Sequence, residues 1–180
     1  GFCRTDLSKK GSGNLGTTNA LRVLGFKAGA VTFIGDILKG VVSFIIARWL
    51  FPDMGILAGI YACAGTILGH DFPFYLHFKG GKGIAATIGL VLCIGFTESM
   101  PLMLISFIIG IVAVALSGYI SLGSMLFSIA IPVCAFFFQL PLEGALVLTA
   151  LTILALWKHR ANIGRLRAGN ENKFTLTKKV

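Results

Sequence analysis

Apolar residues fall in six unbroken runs, at about 28–50, 54–69, 84–97, 101–116, 122–138 and 142–157, with short polar segments between them. Within a run they are continuous, whereas the strands of a membrane barrel must alternate between a lipid face and a lumen face. A backbone surrounded by lipid has to satisfy its own hydrogen bonds, so continuous runs predict helices. Several runs hold only about 16 residues, short of the roughly 20 that cross a hydrocarbon core. Such runs are expected to recruit loop residues or to build a thin bundle. The pattern predicts an all-α, polytopic bundle of six transmembrane helices, one integral membrane domain over residues 1–180. Gly55 and Gly59, and Gly65 and Gly69, are spaced by four, which suits close approach of helix backbones.

Composition sharpens this picture. The 180 residues are 56% hydrophobic and 13% charged, and the mean hydropathy is +0.86. A soluble domain carries about a quarter charged residues, and a disordered chain needs low hydrophobicity, so both classes are excluded. The net charge of +9 does not imply nucleic acid, because positive cytoplasmic loops make membrane proteins basic. Fourteen of the 16 cations lie in three places: Arg4, Lys9, Lys10, Arg22 and Lys27; Lys79 and Lys82; and Lys158, Arg160, Arg165, Arg167, Lys173, Lys178 and Lys179. The opposite connections, near 51–53, 97–101 and 139–141, hold none. Six crossings put both termini on one side, and the charge bias assigns that side to the cytoplasm. Cys63, Cys93 and Cys134 lie in apolar runs and Cys3 stands apart, without C-x-x-C spacing, so neither a zinc site nor a disulfide framework is indicated. Asp36 and Lys39, three apart inside the first run, share a helix face. They read either as a neutralising pair or as support for a nearby polar site.

The remaining polar residues collect in four segments expected on the same membrane side. Residues 11–25, G-S-G-N-L-G-T-T-N-A-L-R-V-L-G, match G-x-G-x-x-G, but no strand precedes them, so a dinucleotide fold is rejected. The glycines can still turn N–H groups toward an anion, residues 17–24 can start a helix capped by Thr17 or Thr18, and Arg22 supplies a fork for phosphate. Residues 69–83, G-H-D-F-P-F-Y-L-H-F-K-G-G-K-G, set Lys79 and Lys82 around Gly80 and Gly81, joining charge to exposed backbone N–H groups. Phe72, Phe74, Tyr75 and Phe78 suit an interfacial belt, and His70 and His77 can titrate near neutrality. Residues 117–124 carry Ser117, Ser121 and Ser124, and residues 157–173 carry His159, Asn162, Arg165 and Glu171. If helical, His159 and Asn162 share a face. The bland alternatives are an entry loop, an anionic-lipid anchor and a basic tail. Together the segments predict a site that handles phosphates at the membrane surface. The chain has no H-x-x-x-x-D, no G-x-S-x-G for an acyl-serine, and no carboxylate cluster for a metal.

In these motifs the chain resembles the bacterial acyl-phosphate:glycerol-3-phosphate acyltransferases. The similarity lies in G-S-G-N-x-G-x-T-N-x-x-R at 11–22, G-H-x-F-P…F-K-G-G-K-G at 69–83, S-L-G-S at 121–124 and H-R-x-N-I-x-R-L-x-x-G-x-E at 159–171. It implies transfer of a fatty acyl group from long-chain acyl phosphate to the 1-hydroxyl of glycerol 3-phosphate, the first acylation of phospholipid synthesis, in the bacterial inner membrane with the site on the cytoplasmic side. The family pattern has a seventh helix before the first motif, which this chain is expected to lack by truncation. Neither a cofactor nor a metal is implied.

Acyl phosphate is a mixed anhydride with a good leaving group, so direct transfer without an acyl-enzyme is expected. Two phosphates must be held together, their repulsion offset by cations and dipoles. The residues expected to carry the chemistry are Ser12, Arg22, Lys82, His159 and Asn162. Those expected to bind substrate are Gly13, Asn14, Thr18, Asn19, His70, Lys79, Gly80, Gly81, Ser121, Ser124 and Glu171. The base is His70, His159 or a substrate phosphate oxygen, with the last two favoured. The acyl chain is expected in a groove open to lipid. The competing readings are a transporter or channel for a phosphate-bearing solute and a lipid-binding scaffold. A transporter site belongs at the midplane between repeated halves, and the polar segments here are confined to one face.

Overall fold

The computed structural model describes residues 7–174. Cys3, Arg4, Lys178 and Lys179, which entered the charge and cysteine arguments, lie outside the described residues. Among the described residues there are eight α-helices and no strand. They are α1 (Thr17–Leu24), α2 (Phe26–Leu50), α3 (Ile56–Asp71), α4 (Ile84–Thr97), α5 (Met100–Ser117), α6 (Ile120–Phe137), α7 (Leu142–Lys158) and α8 (Arg160–Arg167). Each of the six apolar runs is one helix, from α2 to α7, and the two short polar helices flank them. The chain forms two compact units, Gly1–Cys93 and Ile94–Val180.

Length separates the six apolar helices. Helices α2, α5 and α6 are long and apolar enough to cross a membrane, and α7 with α8, bent by 54°, makes a fourth candidate. Helices α3 and α4 have 16 and 14 residues. At 1.5 Å per residue α4 is only about 21 Å long, against a hydrocarbon core of about 30 Å.

In the first unit, Gly25 joins α1 to α2 in a single residue at φ 87°, a conformation that glycine adopts without a Cβ penalty. The expected threonine cap is not formed: Gly16 is the N-cap, and Thr17 and Thr18 are the first helical residues. Helices α2 and α4 meet backbone to backbone, since a Cβ on Gly40 would stand 2.6 Å from the Ala86 carbonyl oxygen and one on Gly89 would meet that of Ile37. Gly59 receives the Phe44 ring, whereas a Cβ on Gly65 or Gly69 would meet nothing within 4 Å. The i,i+4 spacing thus found one contact of the several it suggested, because spacing does not say which face meets a neighbour.

In the second unit, Ser99 caps α5, its hydroxyl accepting from the Leu102 N–H at 3.4 Å, and Gly118 ends that helix in the left-handed region. Helices α5 and α6 touch at Gly110 and Gly123, where a Cβ on Gly123 would lie 2.6 Å from the Gly110 carbonyl oxygen. Pro132, inside α6, lacks the N–H that would bind the Ser128 carbonyl. The Thr152 hydroxyl on α7 donates to that carbonyl instead, at 2.8 Å in a buried position.

Candidate active site

The loop before α1 is organised by Asn19, a residue only 2% exposed. Its amide donates to the carbonyls of Asn14 at 2.8 Å, Lys10 at 3.0 Å and Leu7 at 3.2 Å. Its Oδ1 accepts the Ser12 N–H at 2.9 Å. The Gly13 N–H donates to the Lys10 carbonyl at 3.1 Å, and the Gly16 N–H to Asn14 Oδ1 at 2.8 Å. The N–H groups of Ser12, Gly13 and Gly16 are thus used within the loop, which differs from the expected anion nest. A buried Asn with four such bonds shapes the loop. Ser12, Gly13, Thr18 and Arg22 are left exposed, with Asn14 half-buried. Thr18 and Arg22 are four apart on α1 and share one face.

A second set surrounds the loop between α3 and α4. Lys39 Nζ lies 2.9 Å from Asp36 Oδ1, confirming the pair read from their spacing, and 2.5 Å from His70 Nδ1 near the end of α3. The loop folds back on that end: the Gly81 N–H donates to the His70 carbonyl at 3.1 Å, and the Gly80 N–H to that of Asp71 at 3.2 Å. These two N–H groups were expected to face solvent; instead they satisfy the last carbonyls of α3. His77, Phe78 and Lys79 also donate within the loop. This self-pairing leaves few of the loop's backbone groups without a partner. Lys79 is exposed and Lys82 half-buried. Lys82 immediately precedes Gly83, whose carbonyl accepts the Thr87 N–H at 2.8 Å as α4 begins. Phe74, Tyr75 and Phe78 are more than 60% exposed, consistent with an interfacial belt. Asp71, to which no role was assigned from sequence, is fully buried, and a Cβ on Gly83 would stand 3.2 Å from its Oδ1. Both polar segments of this unit touch the first half of α2, Gly29 against Leu21 and Asp36 beside His70.

The second unit holds the third set. Glu171 Oε1 accepts from Asn162 Nδ2 at 2.7 Å and from the Ser121 hydroxyl at 3.0 Å, while Oε2 accepts from Arg165 Nε at 2.7 Å. Burial works against the charge on Glu171, but the bonds from Asn162, Arg165 and Ser121 outweigh it and hold the carboxyl below its ordinary range. The Phe174 N–H donates to the Gly118 carbonyl at 2.7 Å, so the tail lies along the turn before α6. The segments at 117–124 and 157–173 are thereby joined. Arg165 was noticed in the sequence, but its partnership with Glu171, six residues on, has no helical periodicity to betray it. Ser124 is not a member of this hydrogen-bonded set. His159, 3% exposed, occupies the break between α7 and α8. Its Nδ1 lies 2.8 Å from the Ala155 carbonyl oxygen. A carbonyl only accepts, so Nδ1 keeps its proton and Nε2 is the ring's acceptor nitrogen.

Residues 1–169 match the family model for glycerol-3-phosphate acyltransferase. The chain belongs to the glycerol-3-phosphate acyltransferase family. A glycerol-3-phosphate acyltransferase of Shouchella clausii is 41% identical over 179 residues, covering 95% of this chain and 83% of the relative. One from Agrobacterium fabrum is 39% identical, covering 94% and 78%. Two crystal structures of PlsY (YgiH), described as an integral membrane glycerol 3-phosphate acyltransferase, are 33% identical. The glycerol 3-phosphate form gives a TM-score of 0.85 over 96% of this chain and 84% of PlsY, and the lysophosphatidic acid form 0.80 over 92% and 82%. The resemblance seen in the four motifs therefore holds for the chain as a whole, and this family member is an integral membrane protein of lipid biosynthesis.

Proposed function

We propose that this chain transfers a fatty acyl group from acyl phosphate to the 1-hydroxyl of glycerol 3-phosphate at the cytoplasmic face of a bacterial inner membrane. The acceptor is supported by the family and by the two forms of PlsY. The donor is supported by the surplus of cations without any acyl-serine motif. One observation carries the reading: Lys79 and Lys82 flank Gly80 and Gly81 in the turn that leads into the start of α4, and the positive end of a helix dipole favours an anion there. Arg22 adds a bidentate fork and Lys79 a second ammonium.

In the reaction the 1-hydroxyl oxygen attacks the acyl carbonyl, the bond from that carbon to the phosphate oxygen breaks, and inorganic phosphate leaves with the electron pair. The hydroxyl proton passes to a phosphate oxygen or to His159 Nε2. The products are 1-acylglycerol 3-phosphate and inorganic phosphate, and no acyl-enzyme is required. Ser12, Asn14, Thr18 and Ser124 orient phosphate oxygens in this reading, and Gly13, its N–H held by the Lys10 carbonyl, gives the loop its turn. Asn19, Gly80, Gly81, Ser121 and Glu171 hold the binding groups in shape, and Asn162 bridges Glu171 to substrate.

The test is an assay of the purified protein with acyl phosphate and acyl-CoA as alternative donors. Product is expected with acyl phosphate alone; equal rates with both would refute the donor assignment. Lys82→Met is expected to lower kcat/KM by about 100-fold or more, the scale for loss of one preorganised charge contact. Arg22→Lys keeps the charge and loses the fork, so near-normal turnover would end that role. Labelled acyl phosphate supplied without acceptor should leave no stable acyl-protein adduct.

A further inference from the structure

The reaction as proposed leaves Asp36, Lys39 and the ring of His70 unused. We propose that these three side chains are positioning residues that seat the Lys79–Lys82 turn for phosphate, the His70 ring serving as a support and not as an acid or base. This inference rests on the reading of Lys79 and Lys82 as phosphate ligands.

The chemistry at Lys39 sets the geometry. An ammonium has only hydrogens to offer, so at 2.5 Å from it His70 Nδ1 presents its lone pair. The ring proton is therefore on Nε2. Asp36 Oδ1 lies 2.9 Å from the same ammonium and 3.5 Å from Nδ1. The three groups form a closed set that fixes the plane of the ring. Against its other nitrogen lies Gly81, where an added Cβ would collide with Nε2. The Gly81 N–H is bonded to the carbonyl of this same His70, and the neighbouring Gly80 N–H to that of Asp71. One side-chain contact and two consecutive backbone bonds thus hold the two glycines that separate Lys79 from Lys82. A pair that merely neutralised charge within α2 would need Asp36 and Lys39 alone. The bond to His70, on another helix and at the residue whose carbonyl pins the loop, is not explained by neutralisation.

The experiment measures KM for glycerol 3-phosphate, kcat and thermal unfolding in detergent for Lys39→Met, His70→Asn and their double variant, beside Lys82→Met. Asparagine can still accept from Lys39 near the Nδ1 position but cannot reach Gly81. Both single variants are expected to raise KM about tenfold with kcat within about threefold, the signature of misplaced binding groups. The double variant is expected to be no worse than the worse single one, because both act through one ring. KM within about twofold of the parent in the folded single variants would overturn the proposal, as would a loss of kcat at unchanged KM, which would make His70 a reacting group. If Lys39→Met does not fold, the charge-neutral Asp36→Asn/Lys39→Met variant takes its place: a raised KM supports the proposal and an unchanged one overturns it. An unchanged KM in Lys82→Met would remove the phosphate reading itself. A raised KM there with unaltered Lys39 and His70 variants removes only this inference.

Discussion

Glu171 shows how much one carboxylate can organise. It collects bonds from α6 through Ser121 and from α8 through Asn162 and Arg165. Replacing it by Ala leaves these donors without their acceptor, and a loss of about 1–3 kcal/mol of stability is expected. Arg165 is partly exposed, so water tempers its share. The lowered folded value of Glu171 also sets a pH dependence. Its contribution is complete above the ordinary carboxylate range and disappears as pH falls through the lowered folded value. Thermal unfolding should therefore be flat near neutrality with respect to this group and fall in acid, and Glu171→Gln should remove that acid-side loss. An acid limb of the same size in Glu171→Gln would assign it to other carboxylates. Glu171 was legible as a polar candidate, since a carboxylate stands out among so many cations. Its partners were not, because Ser121 is 50 residues away in the chain and no local rule links them. Asn19 teaches the converse. Its residue type suggested a ligand contact, but burial directs all of its polar atoms into its own loop.

At the scale of elements, the apolar runs marked their helices closely: the run at 122–138 is Ile120–Phe137 and that at 142–157 is Leu142–Lys158. Apolar continuity ends where lipid contact ends, so the pattern carries the boundary. The pairing of helices was less visible. Thr152 and Pro132 are two unremarkable residues until α7 lies beside α6 and a hydroxyl replaces the missing N–H. Thr152→Val should cost about 1–2 kcal/mol by stranding the Ser128 carbonyl. Pro132→Ala in that background should recover much of the loss by restoring an N–H donor, and the four-variant cycle measured by thermal unfolding tests the coupling. Equal effects of Thr152→Val with and without Pro132 would refute it. The contact at Gly123 makes a similar demand: with 2.6 Å to the Gly110 carbonyl oxygen, Gly123→Leu should separate α5 from α6 and abolish the folded state, seen as loss of monodisperse protein in detergent.

For the whole molecule, the open question between sequence and structure is how often a chain with three long helices and three of 14–17 residues crosses the bilayer. Single cysteines at Asp53, His77, Glu98, Gln139 and Gly164, each exposed, answer it with a membrane-impermeant thiol reagent. Cys63, Cys93 and Cys134 are buried and should stay silent, with Cys3 replaced by Ser. Six crossings predict labelling of positions 77 and 164 from the cytoplasmic side and of 53, 98 and 139 from the other. Labelling of 53 and 77 from one side would mean that α3 does not cross. The sequence by itself determined that this chain is helical and membrane-embedded, because hydrophobicity per residue is a property of composition and order alone. It also determined the family, through residue types at fixed spacing. Only the tertiary structure decided which backbone N–H groups remain for a ligand, which glycines meet a neighbouring helix, and that His70 leans on Lys39 and Gly81. Those outcomes depend on groups brought together from distant parts of the chain, and a hydrogen bond, unlike hydropathy, exists only once both partners are in place.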